Sequence, residues 1–337
     1  MRVVVFVVLF LPLVAVGQRD HIVSFRDKLV VTSVLNTKSE SFDFTSSTDQ
    51  SLEYSTADIT GFGFGVDYKW LTFEFTKRLS SKGSDEVYGH TENFGIGFGF
   101  TMPKWYFRNF FEIYSGYHLT NPDFIDFNYL DSTGGYPYRP DISSVRYYAS
   151  WNWVFNDENY SSMASLWQLE RQEKSAGSWV AGGTYSYGSA IGDSAFIPAI
   201  QKPNFEQASN WREVSSRSIA ANVGYQYTFV LSDSRKWFLH IGLTPGLGMN
   251  WSNAFDESED DYVDLPTRAV FLTEGRFIVG YNGDQWYFGV SSIGYSSFAA
   301  GAEVSPVSNF NSYNRLYLGY RFTLPKKVEE SLNIIGL

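Results

Sequence analysis

The sequence predicts an all-β fold, a transmembrane antiparallel β-barrel of about twelve strands with both termini periplasmic, and three observations predict it. Apolar residues alternate with small or polar ones along segment after segment. Aromatic residues make up 18% of the chain, with 23 Tyr, 29 Phe and 10 Trp beside 29 Gly, yet the mean hydropathy is only −0.21. Short turns alternate with long polar loops. A helical membrane protein does not average to near-neutral hydropathy, whereas a barrel whose strands turn one face to lipid and the other to a lumen does.

The first element is an export signal. Met1 and Arg2 precede the apolar run Val3 to Val16, and the small residue Gly17 stands before Gln18, Arg19 and Asp20. A basic start, a short apolar core and a small-residue cleavage point describe a signal peptide over 1–17, cut at Gly17/Gln18. The run is shorter than the ~20 apolar residues that span a bilayer. Residues 18–337 are then read as one barrel domain, with 325–337 a short periplasmic tail, helical or frayed. With 0 Cys, a lipidated N-terminal cysteine, disulfides and thiolate metal sites are excluded. The net charge of −10 argues against nucleic acid, which requires basic surfaces.

The strands follow. From Asn93 to Met102 the even positions are Phe94, Ile96, Phe98, Phe100 and Met102, and the odd ones are polar or glycine. Ile219 to Phe229 splits the same way, and Leu316, Leu318, Tyr320 and Phe322 oppose Arg315, Tyr317, Gly319 and Arg321. Further strands are read at 28–40, 58–69, 70–80, 105–119, 144–155, 177–188, 237–250, 269–282 and 285–299. Tight connections are expected near Tyr68–Trp70, Pro103–Lys104, Asp157–Asn159, Ser232–Arg235 and Gly283–Asp284. Long loops are expected near 41–57, 80–90, 120–143, 189–215, 251–267 and 300–312. Short periplasmic turns against long external loops set the orientation. One stretch, Ser161 to Gly177, resists threading. As separate strands it raises the count to fourteen; a long kinked strand or an inward segment keeps it at twelve and is preferred.

Alternation alone also fits a soluble ligand-carrying barrel in the periplasm. Two features favour the membrane. The polar face carries charges of both signs, at Asp67, Glu74, Arg108, Glu112, Arg146, His240, Glu274, Arg276, Arg315 and Arg321, which suits a hydrated or salt-bridged lumen. Aromatics gather beside the short turns, at Tyr68, Trp70, Trp105, Tyr106, Trp153, Phe155, Trp237, Trp286 and Tyr287, as interfacial girdles do.

Several pieces of the chain resemble a known family: Gly17-Gln18, the segment Ser24 to Leu29, the turn Tyr68-Lys69-Trp70-Leu71, the run Gln172 to Ser178, and Thr244-Pro245-Gly246. Together they are similar to an uncharacterised family of Bacteroidetes outer-membrane barrels, the domain of unknown function numbered four-four-two-one. The resemblance covers nearly the whole mature chain. It implies the same fold and location, and it implies no activity.

No catalytic site, cofactor or metal is expected. Gly61-Phe62-Gly63-Phe64-Gly65 is read as inward glycines of a strand, because a phosphate loop needs a helix after it and here the alternation continues through Val66 and Tyr68. Of the four His, His118 or His240 would serve as the base of the rival reading, a membrane-embedded lipid hydrolase or acyltransferase. The inward charges are expected to pair with one another, since buried charges rarely stand alone. The acidic stretch Asp256 to Asp261 lacks the glycine and spaced ligands of a calcium loop and reads as solvated. The expected role is passive: a narrow pore, small-ligand binding or structural support. The expected partners are the lipid bilayer with lipopolysaccharide, and the outer-membrane insertion machinery during assembly. A monomer is expected.

Overall fold

The computed structural model describes residues 19–46, 50–57, 59–79, 82–126, 128–205, 207–299 and 309–334. The signal segment expected over 1–17, and much of the loop expected at 300–312, lie outside them.

The chain runs β1 (Ile22–Ser24), β2 (Lys28–Thr45), β3 (Ser51–Ser55), β4 (Ile59–Tyr68), β5 (Leu71–Arg78), α1 (Lys82–Tyr88), β6 (Glu92–Thr101) and β7 (Trp105–Leu119). It continues with α2 (Tyr129–Thr133), β8 (Tyr138–Val154), α3 (Ser162–Leu166), β9 (Glu170–Gln172), β10 (Ala176–Ile191), β11 (Trp211–Val230) and β12 (Trp237–Asp256). The last elements are β13 (Asp261–Asp264), β14 (Arg268–Asn282), β15 (Trp286–Ala299), β16 (Asn309–Thr323) and α4 (Lys326–Ile334). Twelve of the strands form a closed, wholly antiparallel barrel, each paired with the next, and β16 pairs β2 to complete the ring from Lys28↔Thr323 to Asn309↔Phe42. An even strand count returns the chain to the rim where it began. Helix α4 continues from that rim.

Period two builds the wall. Along β11, Ala220, Asn222, Gln226 and Thr228 are buried, whereas Ile219, Val223, Tyr225 and Phe229 are exposed. Phe62, Phe64 and Val66 of β4, Phe73 and Phe75 of β5, and Leu243 and Leu247 of β12 are likewise exposed. A contiguous apolar belt around a barrel is not a surface that water tolerates, and it matches the band that outer-membrane barrels show to lipid. At the rim of short turns the belt ends in aromatics: Trp105 faces Trp153 across β7 and β8, Trp237 packs against Tyr281 and Phe288, and Trp286 against Tyr320.

Two expectations are corrected. The connection at Asp157–Asn159 is not tight: β8 ends at Val154 and β10 starts at Ala176, and the residues between them turn into the barrel mouth. This is the inward segment, so the fourteen-strand alternative does not hold. Several strands also run further towards the loop rim than the alternation showed, β8 starting at Tyr138 and β11 at Trp211, and β2 and β12 reaching Thr45 and Asp256. Part of what reads as loop at 41–57, 120–143, 189–215 and 251–267 is therefore strand. There the inward face turns apolar, with Phe42, Phe44, Ile142, Trp211, Val214 and Ala254 buried, while Ser41, Asp43 and Thr45 take the other face of β2.

Candidate functional site

Segments of the chain pack into the barrel at both ends. At the turn rim, the inward segment begins with Ser161, whose hydroxyl caps α3 by accepting from the Ala164 amide at 3.0 Å, the role for which serine is favoured. Its five residues are all buried. Gln168 then takes a left-handed conformation, φ 53°, and β9 pairs β1 through Ile22↔Gln172, Val23↔Arg171 and Ser24↔Glu170. Tyr160, Met163, Leu166 and Leu169 pack on Tyr106, Val154, Phe238 and Tyr287 from the wall.

Polar contacts anchor this plug. Glu170 accepts from Arg19 Nη1 at 3.0 and 2.8 Å and from Ser161 at 2.5 Å, and Tyr160 donates to Gln226 at 2.9 Å. Arg321 donates to Asn282 at 2.6 Å and to the carbonyls of Gly283 and Gln168, with its guanidinium over Phe25. A surface chain adds to this: Arg171 bridges Glu173 at 2.7 Å and Asp284 at 2.6 Å, while Arg235 and Lys236 reach the same two acids at 3.2 Å. The Asp284 carboxyl is held below its ordinary pKa by the hydrogen bond from Arg171, then by that from Lys236.

At the loop rim a second seal forms. Phe196, Ile197, Phe205 and Ala208 of the β10–β11 connection pack with Phe42, Phe44, Tyr54, Tyr117 and Ile142, and the Tyr54 hydroxyl donates to the Phe196 carbonyl at 2.5 Å. The aromatic count of the strand ends serves this cluster as well as the girdle.

Between the seals lie two compartments lined by charged residues, of about 110 and 70 Å³. Phe110, Tyr148 and Tyr295 stack where they meet, with ring centroids 4.7 to 5.3 Å apart. The inward charges expected from sequence are here, largely in mutual pairs. Glu74 pairs with Arg315 at 3.2 Å, Glu274 with Arg276 and, at 3.7 Å, with Arg108. Glu112 pairs with Lys38 and Arg146 with Glu40 at 2.7 Å. Asp67 is buried at the wall of the larger compartment. His240 and Arg321 are not in this set: both are buried at the turn rim, His240 bonded to Thr228 at 3.1 Å and stacked on Tyr160. The hydroxyl neighbour of His240 is thus sealed beneath the plug, and His118 sits at the loop rim against Tyr88 and Tyr136.

Sequence reasoning missed Lys38 and Glu40, although both continue the inward parity of Val34 and Asn36 along β2. It missed Arg19 and Glu170, which lie outside any alternating segment. Among the described residues no group of three or more His, Cys, Asp or Glu is placed to hold a metal.

A family profile matches residues 19–322, from the plug's Arg19 through the last strand. The chain belongs to the family described as Domain of unknown function (DUF4421). Among curated proteins none matches this DUF4421 chain. Solved structures similar to it include the outer membrane protease OmpT from Escherichia coli, at 9% identity and a TM-score of 0.37, covering 89% of this chain and 98% of that one. The translocator domain of the autotransporter NalP from Neisseria meningitidis has 12% identity and a TM-score of 0.35, covering 88% and 89%. LpxR from Salmonella typhimurium has 8% identity and a TM-score of 0.29, covering 87% and 99%. At these values no activity is carried from those proteins to the DUF4421 chain.

Proposed function

We propose that the protein works as a monomer in the outer membrane, as a barrel closed at rest that holds a small polar solute in its interior. The observation that carries this reading is the pair of charge-lined compartments that lie between two seals made from the chain's own segments. An open pore has no use for two apolar seals, and a purely structural barrel gains more from a packed apolar interior than from ion pairs that each cost desolvation. The apolar belt with its aromatic girdle supports the location. In this reading residues 1–17 direct export, the turn rim and both termini face the periplasm, and the loop rim meets lipopolysaccharide. The assembly machinery of that membrane inserts the barrel.

The test is single-channel recording of the refolded protein in a planar bilayer. The wild type is expected to be electrically silent. Substituting Leu166 and Leu169 together by Ser, which places unpaired hydroxyls in the apolar plug, is expected to produce intermittent openings. Steady conductance from the wild type would refute the closed state.

A further inference from the structure

The larger compartment has a shape that the sequence writes out and a lining that asks for a particular ligand. Its space exists because β4 and β6 turn glycine inward, at Gly65, Gly95 and Gly97. A Cβ placed on Gly65 would meet nothing nearer than 3.4 Å, and one on Gly97 nothing nearer than 3.3 Å. Gly65 is therefore in ordinary contact only, Gly97 needs the Asn109 carbonyl to give by a few tenths of an ångström, and a side chain at either position would grow into the cavity. At ~10–15 Å³ per enclosed water, about 110 Å³ admits a molecule of roughly ten non-hydrogen atoms.

Six charged side chains line that space. Lys38 pairs with Glu112 and Arg315 with Glu74, which leaves Asp67, in the field of Arg315, and Arg108 without a close partner of their own. The Asp67 carboxyl is buried in the compartment wall and accepts no hydrogen bond among the described residues. The Arg108 Nη1 is buried with no hydrogen bond; its nearest anion, Glu274 at 3.7 Å, has Arg276 as its close partner. Trp167, at the tip of the plug, holds the Arg108 guanidinium from its other side at 5.9 Å and closes the compartment's floor. A buried acceptor and a buried donor of opposite charge, each with bonding capacity unused, are costly unless something bridges them.

We propose that this compartment binds a small zwitterion, an amino acid or a molecule like it, with its ammonium on Asp67 and its carboxylate on Arg108. This deepens the reading of the interior as a solute site and rests on it. Because Trp167 belongs to the plug, the same ligand would brace the periplasmic seal from inside.

The experiment is to refold the full chain in detergent with radiolabelled L-glutamine, remove free ligand by gel filtration, and count what stays bound. Parallel samples use glycine, acetate, ethylammonium and glucose. The wild type is expected to retain L-glutamine at close to one per barrel and to lose acetate, ethylammonium and glucose. Gly97→Leu, which fills the space and touches no charge, and Asp67→Asn are each expected to lower retention by about tenfold or more, with heat-modifiable gel mobility reporting that both are folded. Failure of the wild type to retain either zwitterion overturns the proposal, as does undiminished retention by Gly97→Leu. Retention of glucose in their place by a barrel that stays electrically silent overturns the ligand class and leaves the closed solute-binding barrel standing. Steady wild-type conductance removes that underlying reading instead.

Discussion

Replacing Glu170 by alanine isolates what holds the plug at the turn rim. The carboxylate is buried, takes two bonds from Arg19 and one from Ser161, and lies on no barrel strand. Alanine strips the Arg19 guanidinium of its counter-charge but leaves it the carbonyls of Asp157 at 2.7 Å and Tyr160 at 3.1 Å. Breaking one side of a buried ion pair costs ~3–5 kcal/mol, and those two carbonyls place this case at the lower end, about 3 kcal/mol. At ~1.4 kcal/mol per decade, the ratio of closed to open plug falls roughly a hundredfold. Amide hydrogen exchange reads this directly: protection across 160–172 is expected to drop by that factor while β11 and β12 keep theirs. Glu170→Gln, which retains an acceptor for Ser161, is expected to fall between. Unchanged protection at 160–172 would show that the ion pair does not hold the seal. An equal loss along the strands would show that it supports the barrel and not the plug.

Three other perturbations test different parts of the structure. Arg276→Met leaves Glu274 with only Arg108 at 3.7 Å and Tyr148 at 3.2 Å, and urea unfolding from vesicles should register a loss of ~3 kcal/mol; a loss below ~1 kcal/mol would mean the interior solvates its charges freely. Leu243, exposed at mid-strand in β12, becomes a lipid-facing cation as Leu243→Arg, costing ~2–4 kcal/mol in a bilayer, whereas a water-soluble barrel would tolerate it in detergent-free buffer. Because Asp284 titrates below its ordinary value, its bonds to Arg171 and Lys236 add stability above the unfolded value of ~3.9 and lose it as pH falls. Protection factors at 170–173, which correct for the intrinsic pH dependence of exchange, should fall on acidification through that range, and Asp284→Asn should show the lower protection already at neutral pH. The side chain is 60% exposed, so molar salt should mimic part of the effect.

The parts legible in sequence are those where lipid imposes a rule. Between Asn93 and Met102 every second residue must be apolar, and the strand read there is within a residue of β6 at both ends. Towards the loop rim the rule lapses: Ser41 to Thr45 keeps the period but turns its apolar residues, Phe42 and Phe44, inward, and Trp211 to Ser218 continues as strand with no clean period. The lumen charges were readable as a set because they share the parity of the inward face. Their pairings were not, since Arg146 and Glu40 come together from β8 and β2 only once the ring has closed. The plug was visible as the one segment that fits no strand, but nothing local says that Glu170 turns back to meet Arg19, 151 positions earlier.

The pairing of β2 with β16 also has a bearing on how the molecule comes into being. Every ladder between the twelve ring strands except this one joins neighbours along the chain, whereas this seam waits for residues of β16. Until it zips, the two flanking edges stay unpaired in a medium that supplies no hydrogen bonds, and neither the compartments nor the plug has walls to rest on. Contacts of such long range make for slow assembly. Losing the last strand would therefore not yield a smaller barrel with a damaged site; it would leave an open, edge-exposed sheet with no interior at all.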